Sequence, residues 1–193
     1  MSDFVVKPLT EETWPAYADL IERHNGVWGG CWCMGFHEGT PEETDTSICK
    51  RDRKLRRVQD GIAHASVVFD GDKAVGWCQF GPASEIRPQN KFKTKYLPGL
   101  ELEPNWRISC FFVDKKYRGK GVSSLALDAA LQAIAREGGG LVEAYPENVE
   151  GRKIAGSFIY LGTTAMFERR GFVRQRHVAM HHWVMVKDIP AAK

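Results

Sequence analysis

The run Phe111 to Leu131, FFVDKKYRGKGVSSLALDAAL, constrains the fold of this 193-residue chain more than any other segment. It reads as a strand, a short basic turn with two glycines, and then a helix. The strand is WRISCFFV, Trp106 to Val113, rich in aromatic and β-branched residues and bounded by polar ones. The helix begins near Gly121 or Val122. Leu125, Ala126, Leu127, Ala129, Ala130, Leu131, Ala133 and Ile134 give it an apolar body, and Gly138-Gly139-Gly140 stops it. Gly119 and Gly121 lack a Cβ, so the turn can take positive φ and lets a ligand oxygen approach the backbone. The N–H groups from Arg118 to Ser123, including those of Lys120 and Val122, then point at one place, where the helix dipole adds about half a positive charge. Lys115, Lys116, Arg118 and Lys120 surround that place, with Asp114 opposing. Such a turn is a seat for a phosphate or pyrophosphate.

The nearest rival is the dinucleotide fingerprint GxGxxG, with Ser124 in the third glycine position and Glu143 as the ribose acid. Against it, Asp114 to Arg118 separate the glycines from the strand, a hairpin precedes the strand, and too little chain follows to complete a doubly wound sheet.

Lys116-Tyr117-Arg118-Gly119-Lys120-Gly121 resembles motif A of the GNAT superfamily of acyl-CoA-dependent N-acyltransferases, Gln/Arg-x-x-Gly-x-Gly/Ala, with Lys116 in the first position. A second family landmark, an aromatic residue and polar residues before Gly-Phe, is met by Phe167-Glu168-Arg169-Arg170-Gly171-Phe172. The resemblance runs from about Ser66 to Val186 and is thin before that, where residues 1–60 form a helical segment on the acceptor side. It implies an α+β (mixed α/β) fold whose mostly antiparallel sheet, flanked by helices, splays between two parallel central strands. The backbone of Phe111, Phe112 and Val113 would pair with the pantetheine arm of acetyl-CoA, and residues 118–123 would hold its pyrophosphate. An amine would attack the thioester directly. Many family members carry a tyrosine acid where this chain has Phe167, which has no proton to give. Tyr160 could substitute. The thiolate of coenzyme A could also leave without much help. Glu143, on one face of the strand Leu141 to Tyr145 with those two residues, is the expected base, against the plainer alternative of a surface carboxylate or a salt bridge to Arg107. Glu103, Glu147 and Ser109 are weaker candidates, and His177, His181 and His182 could carry protons.

The remaining segments complete this reading. Phe4 to Pro8 reads as a strand; Thr10-Glu11-Glu12-Thr13 offers a cap and acidic first turn for a helix through about Glu22; Pro41 to Gln59 is helical and charged. Ala65 to Phe69 and Ala74 to Phe80 flank the turn Asp70-Gly71-Asp72-Lys73, and Gly81-Pro82 ends the hairpin. Ala83 to Glu103 is a long connection, of the kind that is functional or contains a short helix. Phe172 to Val178 and His182 to Val186 read as a closing antiparallel pair. No linker or repeat divides the chain, so one domain over 1–193 is expected.

The loop Gly29 to His37, GGCWCMGFH, is the second unusual feature. A zinc reading would use Cys31, Cys33, His37 and Cys49. Cys-x-Cys is tighter than structural sites favour and no second close pair exists, so no metal is expected. A nucleophilic thiol with His24 or His37 as base is not needed for direct attack. The favoured reading is a packed aromatic loop beside the acceptor site, with Trp28, Cys31, Trp32 and Cys33 as substrate-binding residues, joined by Met34 and Phe36. A net charge of +3 is too small to argue for nucleic acid, and no stretch approaches about twenty apolar residues, so no membrane span is expected. MSDFVVKPLTEE has no basic or apolar leader region, which predicts a cytoplasmic, reducing setting with free thiols. The resulting expectation is an N-acetyltransferase acting on a primary amine of a small molecule or peptide, with a homodimer compatible with the resemblance. The rival is a sensor that binds acyl-CoA without turnover.

Overall fold

The computed structural model describes residues 4–37, 48–88, 92–99 and 102–192. In chain order the elements are β1 (Val5–Pro8), α1 (Trp14–Glu22), α2 (Lys50–Gln59), β2 (Ala65–Asp70), β3 (Lys73–Pro82), the short α3 (Lys93–Tyr96), β4 (Trp106–Val113), α4 (Val122–Arg136), β5 (Gly140–Ala144), the short α5 (Thr164–Glu168), β6 (Val173–Ala179) and β7 (His182–Ile189). The strands form one sheet in the order β1-β2-β3-β4-β5-β7-β6, antiparallel throughout except between β4 and β5. This is the mixed, mostly antiparallel α+β architecture expected from the sequence.

Successive residues of the central strands serve opposite faces, as a pleated strand requires. Val67, Trp77, Cys110 and Tyr145 pack with Tyr17, Leu20 and Ile21 of α1. Their neighbours Val68, Cys78 and Phe111 pack with Ala126, Leu127 and Ile134 of α4 and with Phe167 of α5. Each large side chain so buried contributes on the order of 1.5–3 kcal/mol. The close approach of α4 to the sheet depends on Gly76, where an added Cβ would lie 2.7 Å from both the Phe112 carbonyl oxygen and Cγ1 of Val122. That contact lays the N-terminus of α4 against the end of β4.

Several boundaries differ from expectation for local reasons. Helix α1 starts at Trp14 with Pro15 in its first turn, and its N-cap is Thr13, not Thr10. Thr13 Oγ1 donates to the Pro8 carbonyl at 2.8 Å and accepts from the Thr10 N–H at 2.8 Å, so Glu11 and Glu12 lie in the turn before the helix. Strand β3 runs on through Gly81 and Pro82 because β4 pairs with both, Gly81 with Arg107 and Pro82 with Trp106. The connection after Pro82 contains the turn of helix α3, and the predicted 41–59 helix is seen as Lys50–Gln59, with 41–47 outside the described residues. No helix among the described residues is long and apolar enough to cross a membrane.

Candidate active site

Strands β4 and β5 pair only through Trp106–Val142, Arg107–Glu143 and Ile108–Ala144, then part. The chain's own segment 160–164 enters the parting. The Phe111 N–H donates to the Tyr160 carbonyl at 2.7 Å, the Glu147 N–H to the Gly162 carbonyl at 3.0 Å, and the Thr164 N–H to the Glu147 carbonyl at 3.1 Å. The expected pantetheine-binding backbone is therefore already engaged at Phe111. By the alternation of an antiparallel ladder, the N–H of Val113 faces the same side.

Beyond Val113 the turn takes the form the glycines require. Gly119 has φ +75° and Gly121, the N-cap of α4, has φ +81°, and a Cβ added at either would meet nothing within 4 Å. Glycine is needed here for conformation and for open space in front of the backbone, not to relieve a clash. No side chain caps α4, so its first N–H groups have no partner of that kind. Val122 itself is buried under the sheet and contributes only its backbone to the turn.

Asp114 fixes the base of this turn. Its N–H donates to the Val75 carbonyl at 2.9 Å, its carboxylate accepts from the Lys116 N–H at 3.0 Å, and Nε2 of His24 lies 3.3 Å away. Burial opposes its ionisation, but the Lys116 N–H and His24 outweigh that and hold the carboxyl below its ordinary value. A depressed carboxyl pKa adds stability above the unfolded value of about 3.9 and loses it as pH falls through the folded value. Asp114→Asn should therefore lower the melting temperature at pH 7, and the gap to the unmodified chain should close at the acid end of a thermal-unfolding series. A gap constant with pH would show that ionisation of Asp114 is not what holds the turn.

A cavity of about 500 Å³ runs beneath the turn, with Phe111, Phe112, Val113, Lys115, Arg118 and Ser123 on one wall. The other wall is the end of α1 and the loop after it, including His24, Val27 and Trp28. Sequence reasoning singled out only Trp28 of that wall as a binding residue. The loop is unusual in handedness: Asn25, Gly26, Val27, Trp28, Gly29 and Gly30 all have positive φ. For the non-glycine residues this costs on the order of 1 kcal/mol or more each, and for the β-branched Val27 it is a true outlier. Such strain persists only where packing over-determines it, and Val27 is buried.

The other three loop residues expected to bind substrate do not line this cavity. Trp32 is buried and stacks on Trp14 with centroids 5.7 Å apart, and Cys33 is turned into the core. Cys31 is half-buried. The left-handed conformation at Trp32 and Cys33 turns their side chains inward, which no residue count along the chain reveals.

A second cavity of about 350 Å³ is lined by Glu147, Arg152, Lys153, Phe158, Tyr160 and His182, among others. Tyr160 lies at the boundary between the two cavities: its ring meets Trp28 of the first at 5.3 Å, edge to face. Glu147 accepts from Nη1 of Arg152 at 3.0 Å.

Glu143 is elsewhere. It is 2 % exposed and lines neither cavity. Its Oε1 accepts from Arg107 Nε at 3.3 Å, from the Tyr96 hydroxyl at 2.9 Å, and from the Tyr145 hydroxyl. The geometry is that of the salt bridge weighed against the base role. It joins β4 and β5 just before they part. Phe167, at the position where many relatives carry a tyrosine, is fully buried between Phe111 and Phe172. Among the described residues no group of three or more His, Cys, Asp or Glu side chains could hold a metal ion.

Central strands that part beside a glycine turn at a helix N-terminus define an acetyltransferase fold. Residues 11–158 match the family model described as Acetyltransferase (GNAT) family, and the chain belongs to that family. Among solved structures, mosquito arylalkylamine N-acetyltransferase like 5b is 14% identical, with a TM-score of 0.57 over 96% of this chain and 100% of that one. A histone acetyltransferase HPA2 and related acetyltransferase from Corynebacterium glutamicum is 16% identical, with a TM-score of 0.54 over 100% and 98%. PaiA N-acetyltransferase from Thermoplasma acidophilum, solved with coenzyme A, is 12% identical, with a TM-score of 0.51 over 96% and 99%. A search of curated proteins finds no match.

Proposed function

We propose that the chain is a single-unit N-acetyltransferase that moves an acetyl group from acetyl-CoA to a primary amine of a small molecule or peptide. The observation that carries this reading is the pair of cavities with Tyr160 at their boundary. The first has the features a long phosphorylated thioester needs: an open glycine turn, Lys115 and Arg118, and the edge of β4. The second offers a carboxylate, cations and aromatic surface to an acceptor. Coenzyme A solved with a relative of the same fold supports the choice of cofactor.

In this reading acetyl-CoA supplies an acetyl group activated as a thioester. The N–H groups of residues 118–123 and the helix dipole hold its pyrophosphate. Strand β4 orients the arm through the backbone of Val113 and, once the Tyr160 carbonyl gives way, of Phe111. Glu147 replaces Glu143 as the group that accepts the amine proton, because it faces a cavity and Glu143 does not. Tyr160 donates a proton toward the departing sulfur from its position beside Trp28. Tyr160→Phe is then expected to lower kcat by about 10- to 100-fold with little change in KM for acetyl-CoA, within the range of general acid catalysis. An unchanged kcat would leave the thiolate to depart unaided. Release of coenzyme A thiol across an amine panel tests the function itself. Cofactor binding with no release for any amine would favour the sensor instead.

A further inference from the structure

The buried face of the cysteine loop carries chemistry that acetyl transfer does not use. The Sγ atoms of Cys33 and Cys110 lie 3.1 Å apart, though the residues are 77 apart in sequence, and they are 2 % and 3 % exposed. Beside them is Lys54, with no exposed surface and no carboxylate within ion-pairing distance among the described residues. Its Nζ is 2.8 Å from Nε2 of His37. Gln79 Nε2 reaches the Cys33 carbonyl at 3.4 Å and the same imidazole nitrogen at 3.3 Å. The Tyr17 hydroxyl is also buried and has no hydrogen-bond partner among the described residues.

A fully buried ammonium calls for an anion. Burial pushes Lys54 down to about 8, and Cys33 is the first of the groups that oppose this, ahead of Glu85. The two sulfurs are driven apart in acidity. The contact with Cys110 holds the Cys33 thiol below its ordinary value against burial, helped by Lys54 and the Trp77 indole. Cys110 is pushed well up by its bond to Cys33 and by burial. The 3.1 Å approach sets the more acidic of two thiols beside one that can resolve it, the division of labour found in reactive dithiols.

We propose that Cys33 and Cys110 are an oxidisable pair, which a hydroperoxide converts to a disulfide joining the cysteine loop to β4. The Cys33 thiolate attacks the terminal peroxide oxygen, an S–O bond forms, the O–O bond breaks, and the departing alkoxide takes a proton from Lys54 to leave as an alcohol. Cys110 passes its proton to Lys54 and attacks the Cys33 sulfur. The S–S bond forms, the S–O bond breaks, and the hydroxide takes that proton and leaves as water. Two electrons pass from the two sulfurs to one peroxide, and Lys54 regains a proton from solvent. The bond would join the two walls of the first cavity, because Cys110 directly precedes Phe111 and Cys33 ends the left-handed loop that follows Trp28. The inference stands apart from the acetyl-transfer reading and would survive its failure.

The test is peptide mapping of the intact protein treated with hydrogen peroxide, quenched with catalase and alkylated before trypsin. Cys33 falls in peptide 24–50 together with Cys31 and Cys49, and Cys110 in peptide 108–115. The expected result is a cross-linked species of these two peptides, two hydrogens lighter than their sum and removed by dithiothreitol. It should persist in Cys31→Ser and Cys49→Ser and vanish in Cys110→Ser. The oxidised protein should also melt several degrees higher, since the bond closes a long loop. If Cys110 of the unmodified chain stays fully alkylated at peroxide levels that oxidise Cys31, or if the cross-link disappears with Cys31 or Cys49, the proposal is overturned.

Discussion

Excess acetyl-CoA is expected to raise the melting temperature of the chain by roughly 5–10 °C, and Gly119→Val with Gly121→Val together to abolish that rise. At a hundredfold excess over Kd, a ligand that binds only the native state adds about 2.7 kcal/mol. In a protein of this size each kcal/mol moves the midpoint by about 2–4 °C. Both glycines hold φ near +80°, a region that valine strongly disfavours, and an added side chain would occupy the open space where a pyrophosphate must lie. The unliganded midpoint should fall as well, because both valines strain a left-handed backbone although neither Cβ meets protein atoms within 4 Å, so each shift is read against that variant's own unliganded midpoint. A shift of the same size in the double variant would remove the turn from the binding site. Absence of a shift in the unmodified chain would undo the proposed cofactor.

Arg107→Met should lower the melting temperature by roughly 10 °C with no ligand present. Arg107 is 3 % exposed. Its guanidinium donates to Glu143, to the carbonyls of Ala83 and Ile86, to the Tyr96 hydroxyl and to Glu103. Removing it leaves a buried carboxylate without its cation and two carbonyls without that donor, for which about 3–5 kcal/mol is typical. The double variant Arg107→Met with Glu143→Leu should recover a good part of the loss, because the stranded charge leaves with the glutamate. Thermal unfolding of the single and double variants decides between this account and one of lost packing, in which the second substitution would add to the damage.

What the sequence made legible was what neighbouring residues decide among themselves. The strand Trp106–Val113, the glycine turn and the helix from Val122 are local patterns of period and conformation, and they stand where expected. The hairpin around Asp70 and the closing pair β6–β7 are legible for the same reason. The surroundings of Glu143 and Glu147 were not. Both lie on or just past the same strand, and alternation gave Glu143 its face but not its neighbours, Tyr96 and Arg107, which arrive from the short helix α3 and from β4. The contact of Cys33 with Cys110 needed the fold to bring distant segments together and a left-handed residue to turn the side chain inward. Spacing carries neither fact. The one local clue was the density of glycine between 26 and 35, which permits such turns without specifying them.

The segment that fills the parting of β4 and β5 has a further consequence for how the chain behaves in company. A sheet that opens leaves a strip of unpaired backbone, and such a strip invites the strand of a neighbouring molecule. Here the Tyr160 carbonyl and the amides of Glu147 and Thr164 close part of that strip from within. The chain thus carries its own guard against edge-to-edge aggregation at the place its proposed ligand would use. On the proposed reading the guard and the ligand would compete for the Phe111 N–H, and strand β4 would pass from one hydrogen-bonding partner to the other.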